Sequence, residues 1–222
     1  MKRYLPFVII AAVALLAVGS GAMLYRAKRP ALLTMAGKGA VPGRNEPQHI
    51  RGNPKAPVTL DEFGDFQCPP CGRMAPEIKK LEEEYQSKLR IVFHHLPLAV
   101  HLHARDAACA AEAAGMQDRF WEMHDLLYKE QAVWSKSEDS RALFQAYAGM
   151  IGLDLGQFKK DMDSKEVKER IEADQRQAAA LGVSNTPTFF LNNRALDPTA
   201  VNEGKLREFI NSEVEKKKNP SG

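Results

Sequence analysis

Between residues 56 and 96, two short runs rich in β-formers, APVTLDEF and LRIVFHHL, flank a helical stripe. In the segment between them Met74, Ile78, Leu81 and Tyr85 fall at i, i+4, i+7 and i+11, one face of a 3.6-residue period. Strand, helix and strand at this spacing predict a parallel βαβ unit with a right-handed crossover. Two cysteines, Cys68 and Cys71, sit where the first strand gives way to the helix, separated by Pro69 and Pro70. Pro69 suits the first helical position, where a backbone N–H has no partner anyway. Pro76 lies inside the stripe and is expected to kink the helix.

From about His103 to Leu181 the pattern is helical throughout, with no repeat period linking its segments. One of these helices is expected to open on a capping box, Ser135 with Glu138, and to close near Gly152. Another runs from Ser164 as N-cap to Gly182. β-structure returns in TPTFFLNNRAL, where Asn192-Asn193 suits a type I′ turn. Residues 203–217 read as a last helix and 218–222 as a solvated tail. The fold class is therefore α/β, with a helical domain (103–181) inserted into a globular region spanning 49–217.

The chain begins MKRYLPFVIIAAVALLAVGSGAMLYRAKRP, uncharged from Leu5 to Tyr25 and long enough to cross a bilayer. Residues 1–29 are expected to form an uncleaved membrane anchor, with Ser20-Gly21-Ala22 offering cleavage as the alternative. Residues 30–48 read as a flexible tether. The net charge of +3 is misleading, because residues 1–30 hold five basic residues and no acid. Removing those five from the 31 basic residues leaves 26 against 28 acidic ones, so no basic face points to nucleic acid. Three cysteines are too few for a disulfide-stapled fold.

A CxxC can be half a zinc site, a structural staple or a redox couple. Zinc needs four ligands, and there is no second CxxC. His94 and His95 emerge at a strand end, while His101 and His103 read as polar surface. Pro69 and Pro70 offer no N–H to stabilise metal-bound thiolates. A staple closing a loop of two residues removes little chain entropy. The redox reading accounts for the residues one by one. The helix N-terminus favours a thiolate at Cys68, and Cys71, one turn inside, can attack a mixed disulfide there. Glu62, in an otherwise apolar strand, is a candidate buried proton acceptor for Cys71. Asp61 points to the opposite face and is the lesser candidate. Thr186-Pro187 could present backbone to a bound peptide by strand addition. Cys109, in an alanine-rich helix, is expected to be buried and inert.

The runs APVTLDEFGDFQCPPCGRMAP, FWEMHD and VSNTPTFFLNN resemble the DsbA-like branch of the thioredoxin superfamily, in its membrane-tethered or exported bacterial form. The resemblance covers about residues 48–215. It implies a thioredoxin fold with the helical domain inserted between the βαβ half and a cis-proline ββα half. It also implies Cys68 as an exposed nucleophile, Cys71 as its buried partner, Glu62 as a buried acid and Pro76 as a kinking proline. Thr186-Pro187 falls at the cis-proline loop. No metal and no cofactor beyond the redox-active disulfide is expected. Where DsbA has CPHC, Pro70 here brings neither a positive charge nor an N–H. The disulfide should therefore be less oxidising than that of DsbA.

The leading expectation is an extracytoplasmic oxidoreductase donating its disulfide to cysteines of exported polypeptides. It would be reoxidised by a membrane partner that is DsbB-like or resembles vitamin K epoxide reductase. It would sit at the outer face of the bacterial cell membrane, or in the periplasm if cleaved. Two alternatives stay open: a tethered reductase serving cytochrome c maturation or repair, and a non-redox peptide-binding chaperone.

Overall fold

The computed structural model describes residues 49–197 and 201–218, apart from the side chains of Glu203 and Lys218. The expected anchor and tether (1–48) and the tail beyond residue 218 lie outside the described residues. Among the described residues no helix is long and apolar enough to cross a membrane.

In chain order the elements are β1 (Ile50–Gly52), β2 (Val58–Gly64), α1 (Pro69–Tyr85), a 3-10 turn (Gln86–Lys88) and β3 (Leu89–His95). Six helices follow: α2 (Ala104–Gly115), α3 (Phe120–Lys129), α4 (Gln131–Trp134), α5 (Ser140–Met150), α6 (Leu155–Met162) and α7 (Lys165–Ala180). The chain ends in β4 (Thr188–Leu191), β5 (Arg194–Ala195) and α8 (Glu203–Lys218). The sheet order is β1-β3-β2-β4-β5, with β2 and β3 parallel and the other pairs antiparallel. The expected βαβ unit and the helical insertion are both present, and β1 is an additional edge strand.

Alternation along β2 divides the core. Val58 and Leu60 pack with Ile78 and Leu81 of α1 and with Leu206 and Ile210 of α8. Phe63 faces the other way, against Ala178 of α7 and Phe190 of β4. Glu62 continues the row of Val58 and Leu60, whereas Asp61 shares the face of Phe63. In α2 the alanines Ala107, Ala108, Ala110, Ala111, Ala113 and Ala114 are all buried. Small side chains on every face let α3, α6 and α7 approach this helix closely.

Several local signals act as read. Asn192 (φ 48°) and Asn193 (φ 68°) make the left-handed turn between β4 and β5. The Ser164 hydroxyl accepts from the Val167 N–H, and Gly152 and Gly182 have positive φ. The capping box at Ser135 does not form. Ser135 ends α4, and Asp139 caps α5 by accepting from the Ala142 N–H at 3.0 Å. Both hydroxyl and carboxylate can cap, and the short helix α4 uses up the first of them.

Asp61 and His94 form a buried pair on the α7 side of the sheet, His94 Nε2 lying 3.1 Å from Asp61 Oδ1. His94 Nδ1 lies 3.4 Å from Asp174 Oδ1. Burial alone would depress the His94 pKa, but Asp174 and Asp61 raise it to about 9 from 6.5. A raised folded-state histidine pKa stabilises the fold fully below the unfolded value and loses that contribution as pH rises through the folded one. Wild type is therefore expected to lose an unfolding free-energy advantage over H94Q of about 3 kcal/mol between pH 6 and 10. Urea titrations at several pH values measure this, and a difference that stays constant with pH contradicts it.

Candidate active site

The turn between β2 and α1 is held from four directions. The Cys68 N–H donates to the Asp65 carbonyl at 3.0 Å. The buried Asp65 carboxylate accepts from the N–H groups of Gln67 (2.7 Å) and Leu98 (2.8 Å) and meets His101 Nδ1 at 2.7 Å. Gln67 Oε1 accepts from the His103 N–H at 2.6 Å. From α4, Gln131 Nε2 donates to the carbonyls of Phe66 (2.6 Å) and Cys68 (3.0 Å). Gln131 also explains Gly72, since a Cβ there would come within 2.6 Å of the Gln131 Oε1.

Cys68 is the N-cap of α1, with Pro69 and Pro70 as the first two helical residues. Neither proline removes an intrahelical bond at those positions. Pro76 lies inside α1, where it cannot donate to the Gly72 carbonyl, and the helix continues to Tyr85.

The two sulfurs differ sharply. The Cys71 thiol hydrogen-bonds the Cys68 sulfur and lowers its pKa to about 6, helped by Thr186 and the Cys71 N–H. Burial and the Asp65 charge work against this shift. Burial, first, and the neighbouring Cys68 and Glu62 charges push the Cys71 thiol far above its ordinary value. Cys68 therefore holds the charge of the reduced pair and Cys71 the proton. The resemblance implied an exposed nucleophile, but Cys68 retains only 5% exposure against 0% for Cys71. A groove of about 400 Å³ lined by Pro70, Arg73, Met74, Thr186, Pro187 and Phe189 adjoins the cysteine turn.

Thr186 and Pro187 are brought to the cysteines by β4, which pairs with β2 antiparallel, Glu62 opposite Phe189. The Thr186–Pro187 peptide bond is cis. The Thr186 carbonyl lies 3.3 Å from Cys68 Sγ. The free edge is shorter than the sequence suggests, because β5 pairs with Phe190 and Leu191. The edge left open to a further strand is thereby confined to the stretch around residues 185–188.

Glu62 is 2% exposed, and its Oε1 has no hydrogen-bond partner. Burial, and then the Cys68 charge, raises its pKa to about 8, with Arg51 pulling the other way. It is a neutral carboxylic acid at pH 7, beside the Cys71 thiol. Cys109 is buried, and burial with the Asp106 charge pushes its thiol up to about 11, as expected for an inert cysteine.

His95 is also drawn inward. His95 Nε2 (2.9 Å) and His49 Nε2 (2.6 Å) both meet Glu112 Oε1. Burial alone would raise the Glu112 pKa, but the two imidazoles hold it well below the carboxylate range. These three residues have ligand atoms within 4.8 Å of one another, a donor set zinc accepts. Arg170 Nη1 stands 3.4 Å from Glu112 Oε2, however, and none of the cluster's atoms is a buried group lacking a partner. The cluster is a satisfied ion-pair network tying the start of β1 to β3 and α2.

A family model described as Thioredoxin matches residues 44–212. The chain belongs to the thioredoxin family. Its fold is shared by solved DsbA-like thiol:disulfide oxidoreductases. Similar solved structures include BdbD from Bacillus subtilis, in its oxidised form, at TM-score 0.66 and 24% identity over 75% of this chain and 92% of that one. A thioredoxin-like oxidoreductase from Silicibacter pomeroyi matches at TM-score 0.66 and 27% identity, over 77% and 95%. Among curated relatives, the Na(+)/H(+) antiporter NhaA 1 of Salinispora arenicola is 43% identical over 155 residues, 69% of this chain and 23% of the antiporter. The NhaA 3 antiporter of Salinispora tropica is 42% identical over 178 residues, 78% of this chain and 26% of that one. The chain thus spans about a quarter of the length of these relatives.

This thioredoxin-family site also uses residues that a reading of the sequence passes over. Gln131 and Asp65 fix the turn, and His101 and His103, read as surface, are half-buried against it. Tyr128, buried, sits in the same field as Cys71 and Glu62. Asp65 acts partly locally, through the Gln67 N–H two residues on, but the others are recruited across tens of residues and have no local signature.

Proposed function

We propose that the domain is a thiol:disulfide oxidoreductase that passes its Cys68–Cys71 disulfide to cysteines of exported polypeptides. Cys68 is the sulfur a substrate thiolate attacks, and Cys71 leaves and is protonated. Glu62 supplies that proton, and the Thr186–Pro187 segment holds the substrate backbone beside Cys68. The observation that carries this reading is geometric: Cys68 caps the N-terminus of α1 beside the Thr186 carbonyl and the cis Pro187, while Cys71, one turn inside, is fully buried. A stabilised thiolate favours the reduced form and makes the disulfide a better oxidant. Oxidation, rather than the reductase or chaperone alternatives, is the direction that this asymmetry supports.

The setting is the outer face of the bacterial membrane, held by residues 1–29, or the periplasm after cleavage. A DsbB-like partner, or one resembling vitamin K epoxide reductase, returns the disulfide. The curated relatives are membrane antiporters by name, which agrees with a domain working next to a membrane.

Because Pro70 adds no charge or donor, the expected potential lies between roughly −120 and −270 mV, the values of DsbA and thioredoxin. Pro70→His is expected to raise it. Equilibration of the purified protein in glutathione buffers measures both, and a wild-type value outside that interval contradicts the assignment. Alkylation of the cysteines in intact cells reads the direction: mostly oxidised protein agrees with a disulfide donor, mostly reduced protein with the reductase.

A further inference from the structure

Tyr128 is used by none of the roles above, yet it lies against the proton-bearing side of the site. Its hydroxyl is buried with no hydrogen-bond partner, as is Oε1 of Glu62. Two orphaned polar atoms in one protein interior are satisfied by water or by each other. Gly64 locates them relative to one another. A Cβ on Gly64 would lie 3.0 Å from the Tyr128 hydroxyl. Glu62, two residues back along β2, projects to the same face about 7 Å away. The two groups are near enough for the Glu62 charge to act on the Tyr128 hydroxyl. Gly64 itself is required, since any side chain there would also strike the Phe93 ring at 2.4 Å.

The other side of Tyr128 faces outward. With Gly72, Pro76, Lys79, Asp125 and Lys129 it lines a cavity of about 440 Å³ between α1 and α3. Lys79 at its wall is half-exposed and pairs with Asp125 at 3.0 Å. Tyr128 thus stands between a buried carboxyl and a polar opening.

We infer that Tyr128 is a proton-relay residue, carrying protons between Glu62 and the Lys79–Asp125 cavity during exchange at Cys71. This rests on the exchange reading above. When the pair is reoxidised, Glu62, protonated at rest, passes its proton to Tyr128 while the tyrosine hydroxyl releases its own to water in the cavity. The carboxylate so formed takes the proton of the Cys71 thiol and is a neutral acid again. The Cys71 thiolate attacks Cys68 Sγ of the mixed disulfide, the Cys68–Cys71 bond forms, and the partner sulfur leaves with the electron pair of the broken bond. Disulfide donation runs the same path inward. Burial, then the charges of Cys71, Glu62, Asp65 and Cys68, holds the Tyr128 pKa well above its usual value, so the hydroxyl passes a proton without dwelling as a tyrosinate. The His124 ring of α3 stands 5.0 Å from that of Tyr128 and is depressed to about 4 by burial, so neutral at pH 7, while Arg51 of β1 acts on Glu62.

The test follows reoxidation of the reduced full-length protein by oxidised glutathione, acid-quenched to separate the mixed disulfide from the final disulfide, over pH 6–10. In Y128F, capture of glutathione at Cys68 is expected to be unchanged, while resolution by Cys71 slows by about 100-fold, the low end for positioned proton transfer. The double variant Y128F/E62Q should be no slower than E62Q, because both lie on one path. In the wild type, resolution but not capture should slow in D₂O, which tests the relay without any substitution. Resolution within twofold of wild type in Y128F, losses in Y128F and E62Q that multiply, or no isotope effect each overturn the relay. A wild type that captures no glutathione overturns the exchange reading and the relay with it.

Discussion

Replacing Glu62 by glutamine is expected to stabilise the domain by about 3 kcal/mol at pH 7 while slowing disulfide exchange by about 100-fold. The buried carboxyl has its pKa raised to about 8 from 4.5, chiefly by burial. A carboxyl raised in the folded state is ionised first in the unfolded chain, so stability falls as pH rises from about 4.5 to about 8. At pH 7 roughly 2.5 of the possible units are expressed, each about 1.4 kcal/mol. Glutamine keeps the shape, cannot ionise and removes this penalty. The gain should vanish near pH 4, where the glutamate is protonated in both states. Urea unfolding of the reduced proteins at pH 4 and pH 7 reads the difference, and a gain of equal size at both contradicts the assignment of Glu62 as a neutral acid. The same substitution removes the group that exchanges a proton with Cys71, so stability and activity move in opposite directions, as expected where a strained group serves chemistry.

Cys71→Ser is expected to convert the protein into a trap. Cys68 keeps its place at the N-cap and its contact with the Thr186 carbonyl. Its attack on a substrate disulfide still gives a mixed disulfide, but nothing remains to resolve it. Adducts that dithiothreitol releases should accumulate, and turnover should fall by about 10⁴ or more, as when one member of a concerted set is removed. Cys68→Ser should lose turnover to the same extent and form no adduct. Cys109, buried with its thiol pushed up to about 11, should stay unmodified in both. Non-reducing gels with mass analysis of the linked peptides decide the matter; adducts mapping to Cys109, or turnover surviving in either variant, contradict the roles assigned.

Much of this site is legible in the sequence because its parts are local. Cys68, Pro69 and Cys71 are spaced by helix geometry, and Glu62 stands out as the acid that continues the apolar row of Val58 and Leu60. Asn192-Asn193 and Ser164 carry turn and cap chemistry that the structure uses directly. What is not legible is what distant elements do to one another. Glu112 looks like one charge in an alanine helix, but it binds histidines 63 and 17 residues away. His101 reads as surface until the segment after β3 folds over Asp65. The cap at Ser135 fails because α4 interposes itself, and the edge of β4 is covered because the chain turns back as β5. Gln131 and Tyr128 belong to helices whose own periodicity assigns them only a packing role. Each miss is a case of tertiary placement deciding between uses that the local sequence permits equally.

The central claim, that Cys68 and Cys71 exchange a disulfide with substrate cysteines, is tested most directly by mixing the oxidised full-length protein with an equimolar dithiol peptide and counting thiols. The expected result is one peptide disulfide formed per protein, with two thiols appearing at Cys68 and Cys71 and none at Cys109. A peptide that stays reduced beside an intact Cys68–Cys71 disulfide contradicts the claim.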